Sequence, residues 1–153
     1  MELRPYREDD LALTEALETD PVVKLHLGGV LTAAEAAAVH RHRLTAAVRG
    51  DRFWTVVAGE PAGIVGIWST PWAGGAVDEV GWMLLPAYFG RGIGRWAAAA
   101  VVRQADGEVH AFPAVANVAS NAICRSLGFR RLDDVDLDYA GRPLRCGHWV
   151  RSA

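Results

Sequence analysis

The chain is short of everything that would send it outside the cell, into a membrane or onto a nucleic acid. Two cysteines in 153 residues, Cys124 and Cys146, are too few for a disulfide framework and lack metal-ligand spacing. The five histidines are scattered. His40 and His42 share one predicted helix but sit two apart, so they do not face each other, and no metal site is expected. No apolar run reaches the roughly 20 residues of a membrane span. Met1-Glu-Leu-Arg-Pro5 has no apolar centre like that of a secretory leader, so a cytoplasmic protein without membrane contact is expected. Sixteen Lys and Arg against 18 Asp and Glu give a net charge of -2, which leaves no electrostatic footprint for nucleic acid. Repeats, low-complexity segments and linkers are missing as well, so one domain over residues 1–153 is expected.

What is present reads as a folded core. The chain is 51% hydrophobic and 22% charged, the balance of a soluble globular domain. Leu3 to Tyr6 reads as a first strand and Asp9 to Leu17 as a helix. Thr32-Ala-Ala-Glu35 is a capping box that opens a helix to about Val48. Phe53 to Ala58 and Ile64 to Trp68 are β-rich runs around Gly59-Glu-Pro61, a predicted hairpin. Ala76 to Leu85 follows as a strand, then a helix over Ile93 to Gln104 and a strand over Glu108 to Ala114. A capped helix from Asn117 and a hairpin of Phe129 to Tyr139 with Leu144 to Arg151 complete the chain. A two-residue turn at Gly141-Arg142 would set Asp138 opposite Arg145, on an acidic face with Asp134 and Asp136. Hairpins joined to one strand–helix–strand crossover predict an α+β fold: a mixed, mostly antiparallel sheet of about seven strands flanked by helices.

The densest signal is Pro86-Ala-Tyr-Phe-Gly-Arg-Gly-Ile-Gly-Arg95, between a strand and a helix. Glycines at 90, 92 and 94 let backbone approach a ligand closely, and a helix start offers unpaired N–H groups and the positive end of its dipole. Such a loop is a socket for phosphate or pyrophosphate. Gly94 is expected at an exposed helix start. The segment Gly92-x-Gly94-x-x-Ala97 also fits a dinucleotide fingerprint, but that fingerprint wants an acidic residue at the end of the next strand. Here Glu108 begins that strand, and Pro86 to Tyr88 lengthen the turn. A glycine-rich turn without a ligand is the third reading of the loop.

A second motif, Asn117-Val-Ala-Ser120-Asn-Ala-Ile-Cys-Arg-Ser-Leu127-Gly128-Phe129, lies downstream. By itself it is a helix capped by Asn117 or Ser120 and stopped by Gly128. The two motifs in this order resemble the GNAT superfamily of N-acetyltransferases, especially the Rim type that acetylates ribosomal-protein N-termini. The resemblance covers roughly residues 76 to 130, and more loosely Leu3 to Leu11 and Asp20 to Val23.

That resemblance implies transfer of the acetyl group of acetyl-CoA, a co-substrate, to a primary amine without a metal. It places the pyrophosphate on the backbone of Phe89, Gly90, Arg91, Gly92, Ile93, Gly94 and Arg95. The pantetheine arm falls along Met83, Leu84 and Leu85, and Asn117 and Ser120 complete the cofactor contacts. Phe89 stands where the family usually has Gln or Arg, so that polar side chain is lost. Arg91 and Arg95 could offset phosphate charge.

Glu79 is the leading general base, because an ammonium must lose a proton before it can attack; a solvent-facing strand end explains it equally well. His110 is the weaker alternative. Cys124 occupies the place of the family's usual Tyr acid, so Ser120 is the residue left to protonate the thiolate. As a small buried residue, Cys124 has no catalytic part. Trp54, Trp68 and Trp72 line an acceptor slot or pack the core. The acceptor is a protein N-terminus or a small amine, and a homodimer stays open. A CoA-binding sensor or interaction module that has lost turnover is the competing reading, raised by Phe89 and the missing Tyr.

Overall fold

In a computed structural model, which describes residues 1–139 and 141–152, seven strands form one sheet. They are β1 (Glu2–Pro5), β2 (Arg52–Ala58), β3 (Glu60–Trp72), β4 (Gly75–Leu84), β5 (Val109–Ala111), β6 (Arg130–Tyr139) and β7 (Arg142–Arg151). Their order is β1-β2-β3-β4-β5-β7-β6. Every pair is antiparallel except β4 with β5, as expected of one crossover in a chain of hairpins. The helices are α1 (Leu11–Thr19), α2 (Ala33–Leu44), α3 (Ile93–Val102) and α4 (Val118–Ser126). None of them is long and apolar enough to cross a membrane.

Strand alternation sends side chains to two cores. On one face Val56, Val65, Ile67 and Val80 pack under Ile93, Ala97 and Val101 of α3 and Cys124 of α4. On the other, Ile64 packs with Leu13 and Leu17 of α1 and with Val23, and Phe53 and Met83 lean on that cluster. The capping box predicted for α2 is present: Glu35 N–H donates to Thr32 Oγ1 at 3.2 Å and Thr32 N–H to Glu35 Oε2 at 2.7 Å. Asp10 ties β1 and β2 together, accepting from Arg4 at 2.7 and 2.8 Å and from Thr55 Oγ1 at 2.8 Å. Burial pushes its carboxyl up, but these bonds and one from Arg7 N–H outweigh it and hold the group below its ordinary range.

The joint between β4 and β5 positions the site. The two strands pair only at Asp78↔Val109 and Glu79↔His110. Beyond that point β4 runs on to Leu84 with, among the described residues, no strand on this side, while β5 stays with β7. On the other side of β4, Leu85 N–H donates to Ala62 C=O at 2.8 Å. Antiparallel alternation then turns Met83 and Gly81 backbone toward β3 as well, and leaves Leu84 and Trp82 facing the opening.

Several boundaries differ from expectation. α2 ends at Leu44 rather than near Val48, and a turn of 3-10 helix over Ala46–Arg49 follows it. β3 is far longer than Ile64 to Trp68, because its turn closes at Gly59 (φ +85°) with Ala58 opposite Glu60. β5 stops at Ala111, where Pro113 soon removes a donor. In the last hairpin Tyr139 pairs with Arg142, so Asp136 rather than Asp138 lies opposite Arg145, at 3.1 Å. Moving the turn by one residue shifts every partner by two and keeps the faces.

Candidate active site

Pro86–Tyr88 makes one turn of 3-10 helix after β4, and α3 begins at Ile93. Gly90 (φ +70°) and Gly92 (φ +74°) are left-handed, and a Cβ on either would meet nothing within 4 Å. Backbone conformation, not packing, requires glycine there. Among the described residues, no backbone or side-chain acceptor within the protein takes the N–H groups from Gly90 to Arg95. This run of free donors at a helix start fits an anionic pyrophosphate.

Gly94 differs from the exposed position expected. It is buried, and a Cβ there would lie 3.3 Å from Ile123 Cδ1 and 3.5 Å from Leu84 Cδ1. Its bareness lets α3 sit close to β4 and α4. Phe89 is 48% exposed at the cavity mouth. Arg91 lies 5.6 Å from the Tyr88 ring, and Arg95 is an exposed cavity-lining residue. Leu84 alone of the three pantetheine candidates turns its backbone to the opening. Leu85 N–H is already taken, Met83 faces β3, and Trp82, which was not anticipated, joins Leu84.

The opening leads into a cavity of about 980 Å³, lined at one end by the glycine loop and at the other by Glu79, Trp68, Phe53 and Tyr139. Glu79 is 8% exposed, not the solvent-facing strand end considered above. Burial raises its pKa above 4.5, and polar contacts with Thr70 and Trp68 pull it part of the way back. Thr70 Oγ1 donates to Glu79 Oε2 at 2.5 Å. Trp68 is the cross-strand partner of Glu79, and its indole stacks on Phe53 with centroids 5.6 Å apart and planes 12° apart. The two rings can lie flat because glycine stands beneath them. A Cβ on Gly81 would fall 2.4 Å from the Trp68 ring, and one on Gly66 2.5 Å from Phe53.

Ser120 also lines the cavity. Its N–H donates to Asn117 Oδ1 at 3.1 Å, so Asn117 caps α4, and among the described residues the Ser120 hydroxyl has no partner. Cys124, one turn on, is fully buried and off the cavity wall. Burial pushes its thiol up to about 12, so it stays protonated. His110 is off the wall too: His148 holds its Nδ1 at 2.8 Å and Glu108 its Nε2 at 3.0 Å. Trp54 packs in the α3 core, and Trp72 packs against Phe112 and His148 at 4.9 Å. Only Trp68 of those three reaches the cavity.

Sequence reasoning missed Phe53, Tyr139 and Lys24 on this wall. A signal for Phe53 was available in Gly66 and Gly81, since isolated glycines inside β-rich runs mark close approach of another group. Tyr139 carries no such signal. Burial and the charge of Glu79 raise its hydroxyl pKa.

The sequence profile described as the acetyltransferase (GNAT) domain matches residues 1–130. The chain belongs to the GNAT acetyltransferase family. The family's reaction is acetyl transfer dependent on acetyl-CoA, and the free amides and the open β4 edge fit that co-substrate. Solved structures share the fold. A ribosomal-protein-alanine N-acetyltransferase from Brucella melitensis matches with a TM-score of 0.80 at 20% identity, over 100% of both chains. A GNAT-family acetyltransferase from Bacillus anthracis gives 0.80 at 17%, over 98% of this chain and 93% of that one. A phosphinothricin acetyltransferase from Sinorhizobium meliloti, solved with acetyl-CoA, gives 0.78 at 19%, over 99% and 87%. Two of these names specify different acceptors, so the GNAT fold alone does not choose one.

Proposed function

We propose that this GNAT enzyme moves the acetyl group of acetyl-CoA directly to a primary amine, with Glu79 as general base and Ser120 as the proton source for the departing sulfur. The observation that carries the reading is Glu79 itself, a buried carboxylate on the cavity wall, on the strand whose open edge leads to the glycine loop. The amides from Gly90 to Arg95 hold the pyrophosphate, while Leu84 and Trp82 offer backbone to the pantetheine arm. A backbone N–H on that edge also polarises the thioester carbonyl.

Glu79 takes one proton from the incoming ammonium, and burial suits it to that task by moving its pKa toward the working pH. The neutral nitrogen then forms a bond to the acetyl carbon as the carbon–sulfur bond breaks. Nitrogen gives up a second proton, which replaces the one that Ser120 delivers to sulfur, and the third stays on the amide. Phe89 removes a side chain from the cofactor loop but none of its amides, so binding and turnover both remain open to it.

Thiol release from acetyl-CoA across a panel of primary amines tests this reading. Turnover that needs an amine and falls about a hundredfold in Glu79→Gln supports it. Tight acetyl-CoA binding with no amine-dependent release would instead support a sensor or interaction module.

A further inference from the structure

At the end of the cavity away from the glycine loop, three charged side chains meet. Lys24 Nζ donates to Glu18 Oε2 and Arg43 Nη2 to Glu18 Oε1, both at 2.7 Å. All three side chains are 10% exposed or less. Two cations therefore share one carboxylate, and among the described residues no second carboxylate lies within 4.0 Å of either cation. A positive charge is left over where water is scarce and an uncompensated charge is costly. Arg43 is further spent on Thr14 Oγ1, at 3.2 Å. Lys24 has three N–H donors and, among the described residues, one acceptor, so two point to no protein group. Glu18, Lys24 and Arg43 line the same cavity as Glu79.

The wall between the two ends is continuous. Glu79 adjoins Trp68, Trp68 stacks on Phe53, and the Arg43 guanidinium lies 5.9 Å from the Phe53 ring before it reaches Glu18. A carboxylate base thus stands at one end of an aromatic ledge and an unspent cation at the other. Two aromatic rings with centroids 5.6 Å apart lie between them, so amine and counter-charge sit on different parts of the acceptor. Overhead, Arg142 Nη1 donates to Gly28 C=O at 2.6 Å, and a Cβ on Gly28 would lie 3.1 Å from Tyr139 Cβ. The segment carrying Lys24 and the tip of the last hairpin therefore touch, which bridges this end of the cavity and suits a small acceptor better than the flank of a folded partner.

We infer that the acceptor is a small primary amine that carries an anionic group, carboxylate or phosphate, held away from the amine by an apolar or aromatic spacer. The amine goes to Glu79, the spacer lies on Trp68 and Phe53, and the anion meets Lys24. This rests on the role given to Glu79 above. The same charge count disfavours acceptors with several ammonium groups, since Glu18 is already spent and Glu79 can serve one.

Three matched acceptors test it: 4-(aminomethyl)benzoate, benzylamine and 1,4-bis(aminomethyl)benzene. The expected order of kcat/KM falls from the first to the last, with the carboxylate gaining at least about tenfold over benzylamine, the worth of one charge-assisted hydrogen bond. Lys24→Gln leaves Glu18 paired with Arg43 and should bring the benzoate-to-benzylamine ratio close to one. Benzylamine equal to or better than the benzoate, or an unchanged ratio in Lys24→Gln, overturns the inference while leaving amine acetylation intact. A Ser-Glu-Ala-Ala peptide that outruns the benzoate overturns the choice of a small acceptor. No turnover of any amine would sink the proposed function itself, and wild-type enzyme alone decides that point.

Discussion

The two ends of the cavity are made of different material. The end proposed for the cofactor is backbone: free amides from Gly90 to Arg95 and the exposed edge at Leu84 and Trp82. It comes from one continuous stretch of chain, and its glycines are dictated by φ at 90 and 92 and by packing at 94. The end proposed for the acceptor is side chain: Glu79, Trp68, Phe53, Lys24 and Tyr139, drawn from β2, β3, β4, β6 and the turn after α1. A backbone site can persist while side chains around it change, as Phe89 illustrates. A side-chain site can change its ligand as its residues change, and solved structures of this fold carry different acceptor names.

The largest expected effect separates the ends through chemistry. Glu79→Gln should lower kcat by about 10²-fold or more and leave the acetyl-CoA Kd within about twofold, because the carboxylate lies outside the backbone cradle; both are measured by thiol release and calorimetry. A Kd that moves with kcat would mean that the two ends are one site. Next in size, Gly94→Glu puts a carboxylate beside the run of free amides, on the cavity wall next to Ile123 and Leu84. Affinity for acetyl-CoA should fall by about 10²-fold, since like charges side by side cost several kcal/mol. Because Gly94 is buried, this variant should also lose stability, which Gly94→Ala should largely keep: its Cβ meets only the flexible tips of Ile123 and Leu84 and the edge of Trp82.

A smaller contrast lies within α4, where the ends meet. Ser120→Ala should slow transfer by tens of fold at most, as water can substitute for a lost hydroxyl. Cys124→Ala should leave turnover nearly unchanged and cost stability, for its thiol is sealed in the α3 core. Crippled turnover in Cys124→Ala, at full folding, would reverse the assignment.

The same contrast explains what could be read from the chain. The loop from Pro86 to Arg95, the capped helix at Asn117 and the sheet with its one crossover were legible, because each is local and periodic. Their strand ends were less so: β3 outran its apolar core, and the last hairpin turned one residue early. The acceptor wall was mostly illegible. Glu79 was visible as a candidate but not its burial, which depends on Trp68 and Thr70 across the sheet. Nothing in the sequence marks Lys24, which meets Arg43 at one carboxylate only once α2 is in place, and Tyr139 joins the wall with Glu79 only through tertiary folding. Side chains gathered from distant segments leave no spacing to recognise.

The smallest effects concern stability against pH, where two buried groups on one sheet face should act with opposite sign. Glu79 has its folded pKa raised from 4.5, chiefly by burial. Its contribution to stability is fully present below about pH 4.5 and is lost as pH rises through the folded value. His148 has its folded pKa lowered from 6.5, by burial first and then by His110, against an opposing pull from Glu108. Its contribution is present above about pH 6.5 and is lost as pH falls toward the folded value. Thermal unfolding followed from pH 4 to pH 8 should show both. Glu79→Gln should raise Tm by a few degrees at pH 8, in the range of about 1 kcal/mol for a chain this size, and the gain should vanish near pH 4. His148→Gln can still bond His110 Nδ1 but loses the ring stacked 4.7 Å from Phe112. It should lower Tm at pH 8 and flatten the fall below about pH 6.5. If Glu79→Gln lowers Tm at pH 8, the carboxylate is held by its neighbours rather than strained by burial, and the acceptor end is as settled as the cofactor end.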